Sequence, residues 1–446
     1  MADDDNTTAT AAPWPSRSRA WATVILLMLA MIVSTLDRGI IPLLTRPIKA
    51  GFHLSDTQFG ALNGIAFGLF YVVMGFPLGL MADKFPRRTI IALGVSFFSL
   101  FSAATGFAAT YWQLFLTRMG VGSGESSLGP SAISIIGDSF PTGKIGRATS
   151  FYVMSAYIGT GLSNIVGGKL FGWLGRLGDS DPAALHGFAP WQLTVIMVAL
   201  PGFLVGPCFF LLREPARRSL KGRRESPAMR QMLRELGDCR RFLALLTGAA
   251  GLATVVSAAE GMWAPALFTR VYHWHEESIG VWLGSITLLA AVPGTYFAGW
   301  LIDRLTKGGT SDAPIKIAIY SLVPVGLLGV AMPLMPNGVL AFACFLPVLF
   351  VKSIAFACGP IAIQLAIPGH LRGQAAGIYY TSVSLLGMVL GPLLIGFMTD
   401  HIFTGPAGIR YALVALTAVL VPVIIMLFQM ARRPFKDLRL REGGFV

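Results

Sequence analysis

The feature that most constrains this chain is a recurrence of apolar stretches, each about twenty residues long, at 21–43, 57–82, 89–109, 112–138, 147–171 and 190–212, and again at 242–270, 278–302, 314–334, 338–365, 373–399 and 408–430. A helix of about 20 residues crosses a hydrocarbon core of about 30 Å. Lipid offers no partner to a backbone N–H or C=O, so segments of this kind cross as helices. The predicted fold class is an all-α membrane protein with twelve transmembrane helices in two pseudo-symmetric six-helix bundles. With 54% hydrophobic and only 13% charged residues, a set of soluble domains is excluded.

Charge divides the chain further. Residues 213–241 carry ten basic side chains, interrupted by Pro215 and Pro227, and read as a basic cytoplasmic linker between an N-terminal bundle at 21–212 and a C-terminal bundle at 242–430. Residues 1–20 read as a disordered cytoplasmic tail, without the basic and small-residue pattern of a removed signal peptide, and 431–446 as a basic tail. The formal charge of +13 is spread over short loops on one side of the predicted bundle, which is positive-inside bias and not a nucleic-acid surface. Both termini are therefore expected in the cytoplasm. Short loops and no sorting signal point to a bacterial inner membrane. The residues 172–189 form a long loop with no assigned role.

The fourth stretch, Tyr111 to Asp138 (YWQLFLTRMGVGSGESSLGPSAISIIGD), places two full charges in a glycine-rich apolar helix. Arg118 and Glu125 are seven residues apart, so at about 100° per residue they share a face. A charge at the bilayer centre costs roughly 2.5–3.5 kcal/mol and usually faces a bundle interior or a watery path. Partners are needed. Asp37 and Arg38 lie about sixteen residues into the first stretch, or ~24 Å, at the depth that Arg118 reaches from the other side, so Asp37 and Arg118 are expected to pair. Glu125 lies deeper, where low dielectric disfavours the ionised carboxyl. Asp37 and Glu125 are thus the candidates to carry a coupling proton, against a plainer role as structural ion-pair members.

Two internal matches relate the halves. Gly79-Leu80-Met81-Ala82-Asp83-Lys84 corresponds to Gly299-Trp300-Leu301-Ile302-Asp303-Arg304, and Pro141 to Ser150 (PTGKIGRATS) to Pro368 to Gly377 (PGHLRGQAAG), at offsets of about 220 and 227. Parallel six-helix repeats are a recurring transporter design. The second offset places Lys352 opposite Glu125, although aligning Gly129-Pro130 with Gly359-Pro360 shifts it by about one turn. Lys352 is expected to face a cavity and meet an anionic headgroup or Glu125; Glu260, in the seventh stretch, is expected near the outer interface. Gly159 to Gly168 and Gly387 to Gly396 read as helix-packing faces. Trp263, Tyr379 and Tyr380 could line a cavity.

Gly79 to Arg88 (GLMADKFPRR), between the second and third stretches, resembles the signature loop of the major facilitator superfamily, GxLaDrxGRR, with Pro86 in place of a glycine. Within that superfamily, Thr35-Leu36-Asp37-Arg38, Phe52-His53-Leu54-Ser55-Asp56 and Arg118 to Ser127 (RMGVGSGESS) resemble the Spinster family of sphingolipid and lysophospholipid carriers. The resemblance implies a secondary transporter working by alternating access on an amphiphilic lysolipid or sphingolipid such as sphingosine-1-phosphate. It also implies a cytoplasmic gate of Gly79, Asp83, Arg87, Arg88, Arg147 and Asp303, in which Gly79 allows close helix approach and Asp83 and Arg147 share a charge network. Arg38, Arg118, Lys352 and Glu260 are the candidate substrate-binding residues.

Other readings stay open at this point. A proton-coupled multidrug or small organic-anion carrier has the same charges, and a scramblase or receptor would lack coupling. No cofactor is called for, with a proton gradient as energy source. His273 and His275 beside Glu276 and Glu277 do not amount to a metal site, and the four scattered cysteines form no disulfide framework. Without a phosphate-binding glycine loop or a nucleophile motif, neither ATP-driven transport nor an enzyme is indicated. Nothing requires more than a monomer in its bilayer.

Overall fold

A computed structural model of the chain describes residues 14–217, 237, 239–310, 312–367 and 371–441. Within them twelve helical rods alternate in direction. In the first half, α1 is Arg17–Leu43, α2 is Asp56–Ala61 continued through Leu62–Leu69 and Phe70–Lys84, and α3 is Arg87–Thr105. Next, α4 is Tyr111–Glu125 with Leu128–Ser139, α5 is Thr142–Ser180 and α6 is Pro190–Cys208. In the second half, α7 is Arg240–Val271, α8 is Glu276–Ile286 through Thr287–Ala291 to Val292–Lys307, and α9 is Ala313–Leu334. Finally, α10 is Gly338–Ala366, α11 is Arg372–Leu385 through Leu386–Leu390 to Gly391–His401, and α12 is Gly408–Arg441. Ten of these rods are long and apolar enough to cross a membrane; the other two are α4, broken into helices of 15 and 12 residues, and α5.

Local chemistry sets the ends and breaks. Ser55 and Thr110 each accept from the backbone N–H three residues on, and Gln58 and Gln113 reach back to the cap, which starts α2 and α4. Asn337 caps α10 in the same way. Rod α4 breaks at Ser126-Ser127 because Pro130, lacking an N–H, cannot bond the carbonyl four residues back. Wide π turns occupy Leu62–Leu69, Thr287–Ala291 and Leu386–Leu390, the last two just before Pro293 and Pro392.

Three predicted boundaries are corrected. Residues 17–20, placed in the disordered tail, are the first turn of α1; residues 1–13 lie outside the described residues. The predicted loop 172–189 is mostly helix, because α5 runs on to Ser180 and a short 3-10 turn, Pro182–Leu185, follows. The basic tail continues α12 to Arg441, held by Phe435 packing on Phe242 and by Arg432 and Lys436 reaching Asp312. Residues 218–236, 238, 368–370 and 442–446, which include most of the linker and the start of the second PGHLRG repeat, lie outside the described residues.

The two halves meet mainly at the face away from the termini, here the distal face. There α2 packs on α11 and α5 on α8. Glycine makes this approach possible: a Cβ on Gly60 or Gly64 would lie 2.6 Å from the Pro392 carbonyl oxygen or 2.5 Å from that of Val389, which a side chain cannot do. Gly161, Gly280 and Gly284 play the same part between α5 and α8. Towards the face bearing the termini the pattern lapses. Gly79, Gly299 and Gly377 have nothing within 4 Å of where a Cβ would sit, so the close approach predicted for Gly79 does not occur in this state. The molecule is closed distally and parted on its terminal face.

Two outcomes follow from this packing. In Gly64→Leu the new side chain wedges α2 from α11, and a cysteine introduced at His53 becomes more accessible to a water-soluble thiol reagent; unchanged labelling would show that the distal seam does not depend on Gly64. At the α8–α9 connection, Asp312 accepts from Arg432 at 2.8 Å with Lys316 and Lys436 nearby. Burial works against its charge, but the Arg432 hydrogen bond and the lysines outweigh burial and hold the carboxyl below the usual aspartate range. A depressed folded-state value stabilises above the unfolded one and is lost as pH falls through the folded one. Asp312→Asn is therefore expected to lower the apparent unfolding temperature by a few degrees at pH 7, measured in detergent, with the gap closing below the ordinary aspartate range.

Candidate functional site

Four of the predicted charges meet inside the first half. Arg118 of α4 donates through Nη1 to Asp37 Oδ2 of α1 at 3.2 Å, with both side chains 2% exposed. The Ser102 hydroxyl of α3 donates to the other oxygen of Asp37. The pairing expected from depth is present. One residue along α1, Arg38 donates through Nη2 to Glu125 Oε2 at 2.5 Å.

Aromatic rings and glycines build the floor of this cluster. The Arg38 guanidinium lies 5.0 Å from the Phe67 ring centroid and 5.1 Å from Tyr71, and Arg118 lies 5.1 Å from Phe67. Phe67 belongs to the π segment of α2 and stacks on Tyr71. It comes this close because Gly122 of α4 rests against its backbone carbonyl, where a Cβ would not fit. Guanidinium over an aromatic face is worth about 0.5–2 kcal/mol, more as water is excluded.

The pairs differ in exposure. Arg38 is 37% exposed while Glu125 behind it is fully buried. Among the described residues, Glu125 Oε1 and two nitrogens of Arg118, Nε and Nη2, have no hydrogen-bond partner in the protein. The arrangement presents a cation to the space between the halves and keeps a carboxyl oxygen in reserve. A buried unmet acceptor costs about 1–3 kcal/mol.

The second half repeats the theme with polarity reversed. Lys352 of α10 donates to Glu260 Oε2 of α7 at 2.7 Å, with side chains 13% and 2% exposed. Two expectations are corrected here. Lys352 meets Glu260 and not Glu125, because the two halves are parted where those residues lie. Glu260 is buried in the bundle and not at a watery interface, since its partner sits at the middle of α10. Lys352 also borders an apolar cavity of about 80 Å³ walled by Ala253, Val325, Phe356, Tyr379 and Val421. Tyr379 therefore lines a cavity; Trp263 does not, being fully buried with its indole N–H donating to the Pro392 carbonyl.

The predicted gate on the terminal face is a different network. Arg87 is 1% exposed and bonds Asp138, Ser134 and, at 2.8 Å, Glu214. Arg88 donates its backbone N–H to Glu214 Oε2 and its side chain to the Leu212 carbonyl. Arg87 and Arg88 thus lock α3, α4 and the start of the linker within one half. Among the described residues Arg147 forms no ion pair; it lies over the Trp21 ring at 5.8 Å. The side chains of Asp83 and Asp303 lie outside the described residues.

Sequence reasoning missed the distal lock. Arg270 of α7 makes a two-pronged bond to Asp56 of α2, 2.6 Å on each arm, and Lys49 bonds the same carboxyl. Asp400 of α11 then accepts from the Asp56 and Thr57 backbone N–H groups and the Thr57 hydroxyl at 2.6–3.1 Å. Arg176 of α5 reaches Glu277 of α8 at 2.6 Å. A signal was present in Asp56, which follows the cap Ser55 at the first turn of a helix, but nothing in one sequence names Arg270 or Asp400 as its partners.

Comparison with known proteins agrees with this geometry. The Major Facilitator Superfamily model matches residues 26–392. An MFS-type efflux pump of Mycolicibacterium smegmatis (strain ATCC 700084 / mc(2)155) is 26% identical over 399 residues, covering 86% of this chain and 85% of the pump. Protein spinster homolog 1 of Xenopus tropicalis is 25% identical over 408 residues, covering 86% of this chain and 74% of that protein. The crystal structure of a bacterial homologue of the human lysosomal transporter Spinster, inward-facing and unoccupied, superposes with a TM-score of 0.82 at 24% identity, covering 95% of this chain and 99% of that one. With twelve helices in two halves and paired charges between them, the chain belongs to the Major Facilitator Superfamily, is similar to Spinster proteins, and is a multi-pass membrane transporter and not an enzyme.

Proposed function

We propose that the protein is a proton-coupled secondary transporter that moves an amphiphilic lysolipid or sphingolipid, such as sphingosine-1-phosphate, by alternating access. The observation that carries this reading is the Arg38–Glu125 pair, with its cation 37% exposed and its carboxylate fully buried. An anionic headgroup entering between the halves competes for Arg38. Glu125, losing its partner in a low-dielectric site, then takes a proton. Asp37 stays bound by Arg118 and Ser102 and holds the cluster in place; it is the alternative proton carrier. Lys352 offers a second cation from the opposite half, and the apolar cavity behind it suits an alkyl segment.

The termini and the basic loops are assigned to the cytoplasm of a bacterial inner membrane by positive-inside bias. The state described is then inward-open, with the distal lock closed towards the outside. A monomer in the bilayer suffices for this mechanism, and no cofactor enters it. A second reading, a drug or small organic-anion carrier, is favoured by the likeness to the efflux pump, and needs the same two cations but no alkyl chain.

Uptake of labelled sphingosine-1-phosphate and a lysophospholipid into proteoliposomes, with and without an inward proton gradient, tests the proposal. The gradient is expected to stimulate uptake by the wild type and to leave Glu125→Gln unaffected. Wild-type uptake no greater than that of empty liposomes would remove the lipid assignment and turn to organic anions. Arg38→Gln and Lys352→Gln each remove one charge-assisted contact, and substrate binding should weaken about 10- to 100-fold. If Lys352→Gln binds as the wild type does, the second half makes no headgroup contact.

A further inference from the structure

We infer that a corner of the first half on the terminal face, away from the central cavity, is a binding site for the phosphate-bearing headgroup of an anionic lipid. The start of α1 and the α4–α5 connection enclose a cavity of about 370 Å³ there. Three cations line it, Arg17 from α1 and Lys144 and Arg147 from α5, together with Trp14, Trp21 and Phe140. Among the described residues no carboxylate lines it, and none of the three cations forms an ion pair. By contrast, the cations of the central cluster and the inter-helix locks, Arg38, Arg87, Arg118, Arg270 and Lys352, all bond carboxylates.

The aromatic walls fix the corner at a membrane interface. Trp21 meets Phe140 and Phe151 edge-on, each at 5.5 Å, and Arg147 lies over its ring. Tryptophan prefers the headgroup level, and basic pockets between helices on this kind of face suit phospholipid headgroups. Helices α1 and α5 both begin here without a side-chain cap, so their first backbone N–H groups add to the positive field. A phosphate held by Arg17 on α1 and by Lys144 and Arg147 on α5 would tie these two helices together. The cavity is of the size expected for a small ligand group.

The full-length protein in detergent, titrated with dioleoylphosphatidylglycerol and followed by native mass spectrometry, tests this. The variant carrying Arg17→Gln, Lys144→Gln and Arg147→Gln is compared with one carrying Arg240→Gln, Arg241→Gln and Arg433→Gln, an equal charge change on the same face. The first variant should lose affinity for the lipid on the order of a hundredfold, the second should keep it, and dioleoylphosphatidylcholine should distinguish neither. If the triple variant does not fold, Lys144→Gln alone should show a loss of about fivefold. Equal retention in all forms, or equal loss in both triple variants, would overturn the site. Inorganic phosphate is the parallel arm: protection by phosphate with no retained lipid would show a soluble-anion site and overturn the lipid assignment.

Discussion

Charge in a low dielectric is the constraint on which the rest of this molecule depends. Asp37, Arg38, Arg118 and Glu125 would each cost roughly 2.5–3.5 kcal/mol alone at the bilayer centre, so they exist only as two neutral pairs on adjacent helices. Removing one partner from a buried pair costs about 3–5 kcal/mol because its mate is left exposed to hydrocarbon. Neutral pairs are tolerated, and a change of partner is strongly felt. In the proposed mechanism that sensitivity lets a headgroup or a proton at Arg38 and Glu125 bias a whole bundle.

The distal seam supplies the element to be biased. It combines glycine-to-carbonyl contacts between α2 and α11 and between α5 and α8 with the Lys49–Asp56–Arg270 cluster and the cap that Asp400 gives to α2. Each of these joins opposite halves, while the Arg87–Asp138 and Arg87–Glu214 pairs lie within the first half and the linker. On the proposed alternating-access reading, the halves would pivot as rigid bundles about this seam. The π segments of α2, α8 and α11 themselves carry part of this packing, with Gly64 and Gly68 against Val389 and Met388 and Gly161 against Leu288.

Much of this was legible from residues alone, and the limits are physical. Twelve rods follow from apolar length, and the Asp37–Arg118 pair from equal depth on helices of opposite direction, because depth is one-dimensional and sequence measures it. Rotation about the bundle axis is not so measured. Lys352 was expected to face a cavity and meet a headgroup or Glu125; it borders a cavity but bonds Glu260, as partner choice depends on how far the halves part. Gly79 was expected at a contact that belongs to no packing in this state. The ends of α5 and α12 ran beyond their apolar cores because a helix continues into water where salt bridges and aromatic contacts hold it, which hydropathy does not register. Asp400 and Arg270 reach Asp56 across 344 and 214 residues of sequence, and a single chain carries no mark of that pairing.

The central claim is that substrate and proton exchange at one pair, and proton uptake on binding measures it directly. Sphingosine-1-phosphate added to the detergent-solubilised protein in weak buffer, with a pH indicator, should consume protons as the headgroup takes Arg38 and Glu125 is protonated. The signal should be absent in Glu125→Gln. Binding that proceeds with no proton uptake in the wild type, or with equal uptake in Glu125→Gln, would contradict the account.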